Sequence, residues 1–361
     1  MNNEIYAARG LAKASSRACI FFRQHSPLTA VIFLLLIFPF TSAVAQTPGS
    51  DTERGKTKSL ATSEPPPAWA YVIKPETDTS DISSDINPSH VPNSEAAFTF
   101  SQTKDLFNPP DWHPSDHPAM PEIVAHGRKP DVFACGYCHL PTGQGRPENS
   151  SLAGLQARYI IQQLSDFKHG LRKSSELRHK PTSTMISAET QASDVEIETA
   201  AKYFSQLKPA PWIRVVETTT VAKTHIYGWM LVKLDTNDTE PLGRRIIETP
   251  EDPKLAELRD SRSGFIAYVP PGSIKAGKVL VNSGGATKTS QCTTCHGPEL
   301  RGLGDAPQLA GRSPSYTVRQ LYDMQSGARD GLAMQKMKPA VMKLSMDDMI
   351  AIAAYVASLK P

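Results

Sequence analysis

The sequence Cys-x-x-Cys-His occurs twice in this chain of 361 residues, at Cys135–His139 and at Cys292–His296. Two cysteines three residues apart can each form a thioether with one vinyl group of a single haem, and the adjacent histidine then lies under the iron. A zinc site would need two cysteine pairs folded together, usually within about 15–20 residues in sequence. These pairs are 157 residues apart. The motifs therefore predict two covalently bound haem c groups rather than zinc.

An internal repeat follows the two motifs at the same offset of 157 residues. In the first copy the matched residues are Leu152, Ala153, Gly154, Tyr159, Gln163, Leu164, Asp166, Gly170 and Arg172; in the second they are Leu309, Ala310, Gly311, Tyr316, Gln320, Leu321, Asp323, Gly327 and Arg329. The offset then falls to 152, so the first copy has five extra residues. The later matches are Met185, Ser193, Ala200, Ala201, Tyr203 and Leu207 with Met337, Ser345, Ile352, Ala353, Tyr355 and Leu359. A duplicated unit of about 90 residues explains this pattern.

The end of each copy is predicted to form an amphipathic helix. Ser193 with Glu196, and Ser345 with Asp348, have the spacing of a capping box. Apolar residues then recur at 3-4-3 spacing and give each helix one buried face. They are Ile197, Ala200, Phe204 and Leu207 in the first copy, and Met349, Ile352, Val356 and Leu359 in the second. Other helices are predicted over 159–167, 273–281 and 316–324. Because a unit this small has a thin core, we expect each copy to fold around its haem.

Three further segments surround the two copies, which span 119–209 and 271–361. Residues 1–45 have a basic region, a short apolar run and the small-x-small sequence Ala43-Val44-Ala45, which are typical of a cleaved signal peptide. Residues 46–118 are poor in apolar residues and predict a partly disordered arm. Aromatic residues are expected to pin it locally: Trp69, Tyr71, Phe98, Phe107 and Trp112. Residues 210–270 contain β-branched runs and predict a small β-rich insert, either a spacer or a docking surface.

Charge and cysteine content indicate where the protein works. The chain has 39 Lys and Arg and 36 Asp and Glu; without the four basic residues and one acidic residue of the signal peptide, 35 of each remain. A net charge of zero gives no indication of a nucleic-acid partner. Of the five cysteines, Cys19 precedes the apolar run and the two motifs use the other four. The apolar run is too short to span a bilayer comfortably. We therefore expect export to the periplasm, with no disulfide and no stable membrane insertion.

On these motifs and this repeat, the chain resembles the two-domain dihaem class I cytochromes c of bacteria. The resemblance covers roughly residues 119–209 and 271–361 and leaves the arm and the insert outside it. It implies a mainly α fold with two class I cytochrome c domains in tandem. It also implies that Cys135, Cys138, Cys292 and Cys295 attach the two haems, with His139 and His296 as iron ligands.

In that family a methionine ahead of the last helix of each domain takes the sixth position of the iron. By alignment these methionines are Met185 and Met337. Met185 is the only methionine between the first motif and the insert. The second copy also contains Met334 and Met342, but only Met337 lies 18 residues before the helix tyrosine, as Met185 does in the first copy. We expect the other two methionines to fill gaps in the core.

The histidine environments differ between the copies. His169 and His179 are rival ligands in the first copy, where a bis-histidine haem would be reasonable chemistry, but we expect both on the surface. In the family a proline carbonyl accepts a hydrogen bond from Nδ1 of the haem histidine. Pro307 fits this role in the second copy, whereas Ser150 stands at the aligned position of the first. The partner of His139 is therefore left open by the sequence.

Two irons with both axial positions filled favour an electron carrier over an enzyme, because neither iron has an open position for a substrate. The expected setting is a periplasmic respiratory chain, with a dehydrogenase or quinol-oxidising complex as donor and an oxidase or reductase as acceptor. One alternative is a catalytic dihaem protein of the peroxidase or thiosulfate-oxidising type, with the first haem as the active one. Another is a cytochrome subunit of a larger dehydrogenase that uses the arm and the insert as attachment surfaces.

Overall fold

The structure is a computed structural model that describes residues 64–77 and 86–361, so the predicted signal peptide and parts of the arm lie outside the described residues. Within these ranges there are twelve α-helices: α1 (Phe100–Thr103), α2 (Glu122–Ala125), α3 (Cys135–His139), α4 (Ala157–Lys168), α5 (Lys180–Gln191), α6 (Asp194–Gln206), α7 (Pro253–Glu257), α8 (Ser273–Ser283), α9 (Cys292–His296), α10 (Pro314–Ser326), α11 (Met334–Val341) and α12 (Met346–Ser358). None of the helices in the described part of the chain is long and apolar enough to cross a membrane.

The first copy, 119–209, packs α4, α5 and α6 around a small apolar core. The predicted capping box at the start of α6 is confirmed, because the Ser193 hydroxyl accepts from the Glu196 amide and the Glu196 carboxylate accepts from the Ser193 amide. The four apolar residues predicted for its buried face are all buried. Phe204 lies at the centre, 1 % exposed, and packs beside Tyr203 with ring centroids 5.2 Å apart. Sequence spacing therefore predicted the face on which this helix packs.

The second copy, 271–361, has a larger core because its first helix is complete. Helix α8 crosses α12 at Gly277, where a Cβ atom would overlap the backbone carbonyl of Ala351. Only glycine permits so close a crossing of two helices. The capping box of α12, formed by Ser345 and Asp348, is confirmed as well. The first copy has only the single-turn helix α2 in place of α8.

The insert is β-rich, as predicted, and lies between the two copies. Its strands are β1 (Ile213–Glu217), β2 (Thr220–Ala222), β3 (Thr224–Tyr227), β4 (Met230–Lys233), β5 (Thr239–Pro241), β6 (Ile247–Pro250) and β7 (Phe265–Val269). Strands β1 and β7 pair in parallel and β6 pairs antiparallel with β7, while β3 and β4 form a hairpin and β2 pairs with β5. Ile246 and Val269 join the apolar core of the second copy. Arg146 of the first copy donates to the Ala256 carbonyl of the insert at 3.0 Å. The insert thus contacts both copies.

The described parts of the arm, 64–77 and 86–118, are packed, and the rest of the predicted partly disordered arm lies outside the described residues. Tyr71 is 1 % exposed and Trp112 is 2 % exposed, so both aromatic residues pin the arm as expected. Trp112 packs with Val91 and with Leu258 of the insert, and its indole N–H donates to the Leu258 carbonyl at 2.8 Å. Because its composition is poor in apolar residues, the arm builds little core of its own. Its aromatic side chains bury themselves in surfaces that the rest of the chain provides.

Candidate haem sites

Each Cys-x-x-Cys-His motif forms its own short helix, α3 in the first copy and α9 in the second. Residues three and four apart lie on one face of a helix, so the two cysteines and the histidine of each motif point the same way. The residue after each histidine turns the chain sharply back, with φ of 61° at Leu140 and 83° at Gly297. This region of backbone space favours glycine, and Leu140 adopts it while fully buried.

This turn brings a backbone carbonyl eleven residues downstream onto the histidine ring. His139 Nδ1 donates to the Ser150 carbonyl at 2.8 Å, and His296 Nδ1 donates to the Pro307 carbonyl at 2.7 Å. The partner of His139, which the sequence left open, is therefore the same as in the second copy. A backbone carbonyl can accept this hydrogen bond whichever side chain its residue has. Serine in place of proline therefore leaves the hydrogen bond of His139 intact. With Nδ1 bonded, the Nε2 lone pair of each ring is free for a metal ion.

Burial keeps both histidines neutral. It lowers the pKa of His139 to about 4, although the bond to the Ser150 carbonyl acts in the opposite direction. Burial also lowers the pKa of His296. A neutral imidazole is the form that ligates iron.

A cavity of about 160 Å³ lies over α3 in the first copy. It is lined by Cys135, Cys138 and His139 of α3 and by Met185 of α5. Apolar side chains make up most of the remaining wall: Ile123, Val132, Leu152, Leu155, Ile160, Leu164, Phe167, Ile197, Ala200 and Phe204. Two thiols, an imidazole and a thioether in one apolar cavity are a suitable set of groups for a covalently attached haem. The cavity residues of the first copy thus fit the cofactor.

In the second copy, Cys292 and Met337 both pack against the same apolar core. Met337 lies on α11 and is half-buried, whereas Met334, three residues earlier, is 5 % exposed within the core, as expected for a gap-filling side chain. The two cysteine pairs remain in separate copies. Among the described residues no three His, Cys, Asp or Glu side chains form a group that could hold a metal ion by themselves.

The expectation for His169 is confirmed, because it is exposed, but that for His179 is wrong. His179 is 4 % exposed and lines the first cavity. Burial, followed by the charge of Arg319, lowers its pKa to about 3. Its ring packs edge-on against Tyr71 of the arm, with centroids 5.8 Å apart. The sequence of the first copy alone could not reveal this burial, since the arm supplies the covering side chain.

Sequence reasoning also missed Glu189, a carboxylic acid in the wall of the first cavity. It lies one helical turn after Met185 and is 3 % exposed. Burial raises the pKa of Glu189 to about 7. The charge of Asp194 also raises it, whereas the charges of Lys168 and His169 lower it. The offset of 152 residues pairs Glu189 with Val341, which is fully buried. This replacement of valine by an acid in the repeat was the signal that could have found it.

The raised pKa of Glu189 predicts a pH-dependent stability. Between its ordinary pKa of 4.5 and about 7, the folded chain holds a proton that the unfolded chain has lost. Stability therefore falls as pH rises through this window and is constant above it. We expect Glu189→Gln to abolish this fall and to raise the free energy of unfolding at pH 8 by on the order of 2 kcal/mol. Denaturant unfolding at pH 5 and pH 8 measures it.

The matched control for this measurement is Glu198→Gln, because Glu198 is exposed on the neighbouring helix α6. We expect that variant to keep the wild-type pH profile. If Glu189→Gln shows the same loss of stability between pH 5 and pH 8 as the wild type, the buried carboxyl is not responsible.

The two copies meet through residues that the repeat had matched. Arg172 of the first copy donates to Tyr316 and Gln320 of the second at 3.2 and 3.1 Å. In the reverse direction, Arg329 donates to Tyr159 and Gln163 of the first copy at 3.0 and 2.6 Å. Backbone bonds from Lys173 N to Ala328 O and from Asp330 N to Leu171 O, both 2.7 Å, join the same loops. The interface is thus approximately two-fold symmetric.

Positive charge is concentrated at this interface, where Arg172, Arg312 and Arg329 surround Tyr316. The hydrogen bonds of Arg172 and Arg329 go to neutral oxygens, and Arg329 Nε is buried without a hydrogen-bond partner. The pKa of Tyr316 is lowered to about 7. Burial alone would raise it, but the charges of Arg172, Arg312 and Arg329 outweigh burial. Tyr316 and Arg172 line the first cavity. The end of the cavity at this interface therefore fits an anionic group such as a haem propionate.

The outer face of α3 is covered by what we call the accessory layer, residues 86–118 of the arm and 252–263 of the insert. Ala134 N donates to the Leu106 carbonyl at 3.0 Å, and the Phe107 and Phe133 rings are in edge contact at 5.4 Å. The Arg259 guanidinium lies 3.9 Å from the centre of the Tyr137 ring. Helix α9 has a different environment, since Thr294 and Cys295 are exposed there. The two attachment helices thus differ in their access to solvent.

Comparison with known proteins gives one consistent result. Residues 274–360 match the cytochrome c family. Cytochrome c4 from Azotobacter vinelandii is 28% identical over 232 residues, which cover 62% of this chain and 84% of that protein. Cytochrome c-554(548) from Halomonas halodenitrificans is 35% identical over 75 residues, 20% of this chain and 90% of that protein.

A third relative is the thiosulfate dehydrogenase electron acceptor of Stutzerimonas stutzeri, 37% identical over 86 residues, 23% of this chain and 38% of that protein. Among solved structures, reduced cytochrome c4 from Pseudomonas stutzeri superposes with a TM-score of 0.41 at 24% identity. That superposition covers 62% of this chain and 93% of the other.

Proposed function

This chain belongs to the dihaem class I cytochromes c, and we propose that it carries single electrons between redox proteins of the periplasm. The observation that carries the proposal is the first cavity, where His139 and Met185 line the same apolar space. When bound, haem supplies an iron that exchanges one electron between its ferric and ferrous states. A histidine and a methionine from the chain would fill both axial positions and leave none for a substrate.

The protein side chains have two tasks in this function. The carbonyls of Ser150 and Pro307 fix the orientation of the histidine rings, so a change of charge on the iron requires little movement of the ligands. The arginines of the interface hold positive charge between the two copies, where Arg172 and Arg329 can neutralise propionates. Both tasks keep the protein the same shape in its oxidised and reduced forms, as rapid electron exchange requires.

The partners follow as a more detailed part of this proposal. A dehydrogenase or a quinol-oxidising complex would be the donor, and an oxidase or reductase the acceptor. One relative is by its name an electron acceptor of thiosulfate dehydrogenase, which makes a thiosulfate-oxidising enzyme a donor to test. The exposed helix α9 offers a route to the second haem that the accessory layer does not cover.

A second candidate function is catalysis at the first haem. It is favoured by Glu189 and His179, two buried polar side chains in the first cavity. Glu189, with a pKa raised to about 7, could exchange protons at neutral pH. In this alternative Cys135, Cys138 and His139 would hold the first haem, and its iron would supply a site open to a small substrate such as peroxide or thiosulfate.

One experiment on the purified native protein distinguishes the carrier from the enzyme. We expect two haems per chain that acid–organic extraction does not remove, a far-red methionine-to-iron band at an intensity for two haems, and poor binding of carbon monoxide after reduction. Haem quantitation and optical spectra measure all three. Rapid binding of carbon monoxide at one haem, or turnover of peroxide or thiosulfate, would favour the catalytic alternative and contradict the carrier.

A further inference from the structure

Two separate parts of the chain converge on one carboxylate, that of Asp323 on α10. The Tyr71 hydroxyl of the arm donates to Asp323 Oδ1 at 2.7 Å. The backbone amide of Ser175, which lies among the five extra residues of the first copy, donates to the same oxygen at 2.9 Å. The arm and the extra residues both lie outside the repeat. Two segments that the repeat does not include thus donate hydrogen bonds to the same oxygen atom of the second copy.

Tyr71 is held in this position by contacts with both copies. Its ring makes edge contacts with His179 of the first copy and Tyr322 of the second, at 5.8 and 6.2 Å between centroids. The neighbouring Ala70 carbonyl accepts from Arg319 Nη1 at 2.6 Å. The same guanidinium donates through Nη2 to the Pro147 carbonyl of the first copy, also at 2.6 Å. Residues 70 and 71 thus fill the junction between the two copies.

Asp323 belongs to the second copy but lines the first cavity, together with Arg319 and His179. Burial raises the pKa of this carboxyl, while the hydrogen bonds from Tyr71 and Ser175 and the charge of Arg319 lower it. The matching residue of the first copy, Asp166, accepts from Gln162 and Gln163 and has no tyrosine partner from the arm. Within the part of the arm that the structure describes, contact is thus made with one of two equivalent carboxylates, the one at the first cavity.

We propose that Tyr71 is a positioning residue for the first haem: its hydroxyl fixes the Asp323 carboxylate at the cavity wall and so sets the potential of that haem apart from the second. The proposal rests on the two-haem electron carrier proposed above. A fixed negative charge beside the cavity stabilises the ferric state, because the ferric haem carries one more positive charge than the ferrous. The apolar wall of the cavity screens that charge less than water would.

The test is Tyr71→Phe, which keeps the aromatic ring and removes the hydroxyl that donates to Asp323 and lies 3.3 Å from the Arg319 carbonyl. Without this donor the buried Asp323 carboxyl holds its proton more firmly, so negative charge is lost at the cavity wall. We therefore expect the midpoint potential of the first haem to rise by an amount equivalent to a three- to tenfold change in its ferrous-to-ferric ratio, about 30–60 mV at 59 mV per decade. The second haem should keep its potential. Optical redox titration measures both, and the Met185→Ala variant identifies which step belongs to the first haem.

Tyr322→Phe is the matched control, because it removes a hydrogen bond of 2.6 Å to the Glu64 carbonyl of the arm and leaves the Asp323 carboxylate untouched. We expect no shift of either potential. Asp323→Asn should raise the first potential as Tyr71→Phe does, and the double variant should show no additional rise, because both changes act on one interaction.

Two results would overturn the inference while leaving the electron carrier in place. One is an unchanged first potential in a Tyr71→Phe protein that retains two haems and a normal far-red band. The other is an equal shift of both haems, which would indicate general loosening of the structure. Loss of a haem from the wild type would instead contradict the proposed function itself.

Discussion

Replacing Cys135 and Cys138 together with alanine is expected to leave one covalent haem per chain and to destabilise the first copy. Both thiols line a cavity whose other walls are mostly apolar, so a haem fills space that the chain cannot fill by itself. An unfilled cavity of about 160 Å³ costs roughly 4 kcal/mol at 24 cal/mol per Å³. That is a large part of the stability of a unit of this size. Haem quantitation and thermal unfolding measure the two effects.

The matched control is the double variant Cys292→Ala and Cys295→Ala, which should remove the second haem and leave the first. In both proteins we expect the remaining haem to keep its own far-red band. Recovery of two covalent haems from either variant would contradict the assignment of the cysteines. If the first variant is degraded before purification, the single variant Cys138→Ala serves instead: it should keep its haem through one thioether, and the absorption of the reduced first haem should shift because one vinyl group is left unreacted.

Met185→Ala is expected to halve the far-red band and to open one haem to carbon monoxide. The thioether of Met185 faces the cavity that holds the cysteines and His139, and alanine is too short to replace it. Loss of a soft ligand that favours ferrous iron should also lower the potential of that haem, on the order of 100 mV. Optical spectra with and without carbon monoxide, followed by redox titration, measure these changes.

Met342→Ala serves as the control, since Met342 is a half-buried methionine outside the predicted ligand pair. Its far-red band should match that of the wild type. An unchanged band in Met185→Ala would mean that another side chain binds the first iron. His179 would be the first candidate, because it lines the same cavity, and His179→Ala would then open the first haem to carbon monoxide without changing the far-red band.

Local sequence signals predicted the helical framework well. The capping boxes of α6 and α12 and the position of the middle helices follow from spacing alone, because helix starts and buried faces depend on neighbours within a few residues. The repeat also marks the interface between the two copies, which the sequence analysis did not predict. Four of its matched residues, Tyr159, Gln163, Tyr316 and Gln320, accept the hydrogen bonds that join the two copies.

What the sequence could not show depends on distant contacts. His179 is buried by Tyr71, which lies 108 residues earlier, and no local pattern carries that information. The sequence predicted that aromatic residues pin the arm, but not where, since they use surfaces made by the insert and the second copy. The ligand role of Met185 remains a prediction that Met185→Ala tests, and that of Met337 a prediction that the far-red band at an intensity for two haems tests.

The contact between Tyr71 and Asp323 joins residues 252 positions apart in the chain. A chain that is synthesised from its N-terminus releases Tyr71 early, but α10 emerges only after the whole of the first copy and the insert. Residues 70 and 71 therefore cannot make their contacts with α10 until that helix has been synthesised. Such distant contacts form slowly, because a long loop must close before they stabilise anything. We therefore expect the contacts of residues 70 and 71 to form late in folding, after α10 has packed.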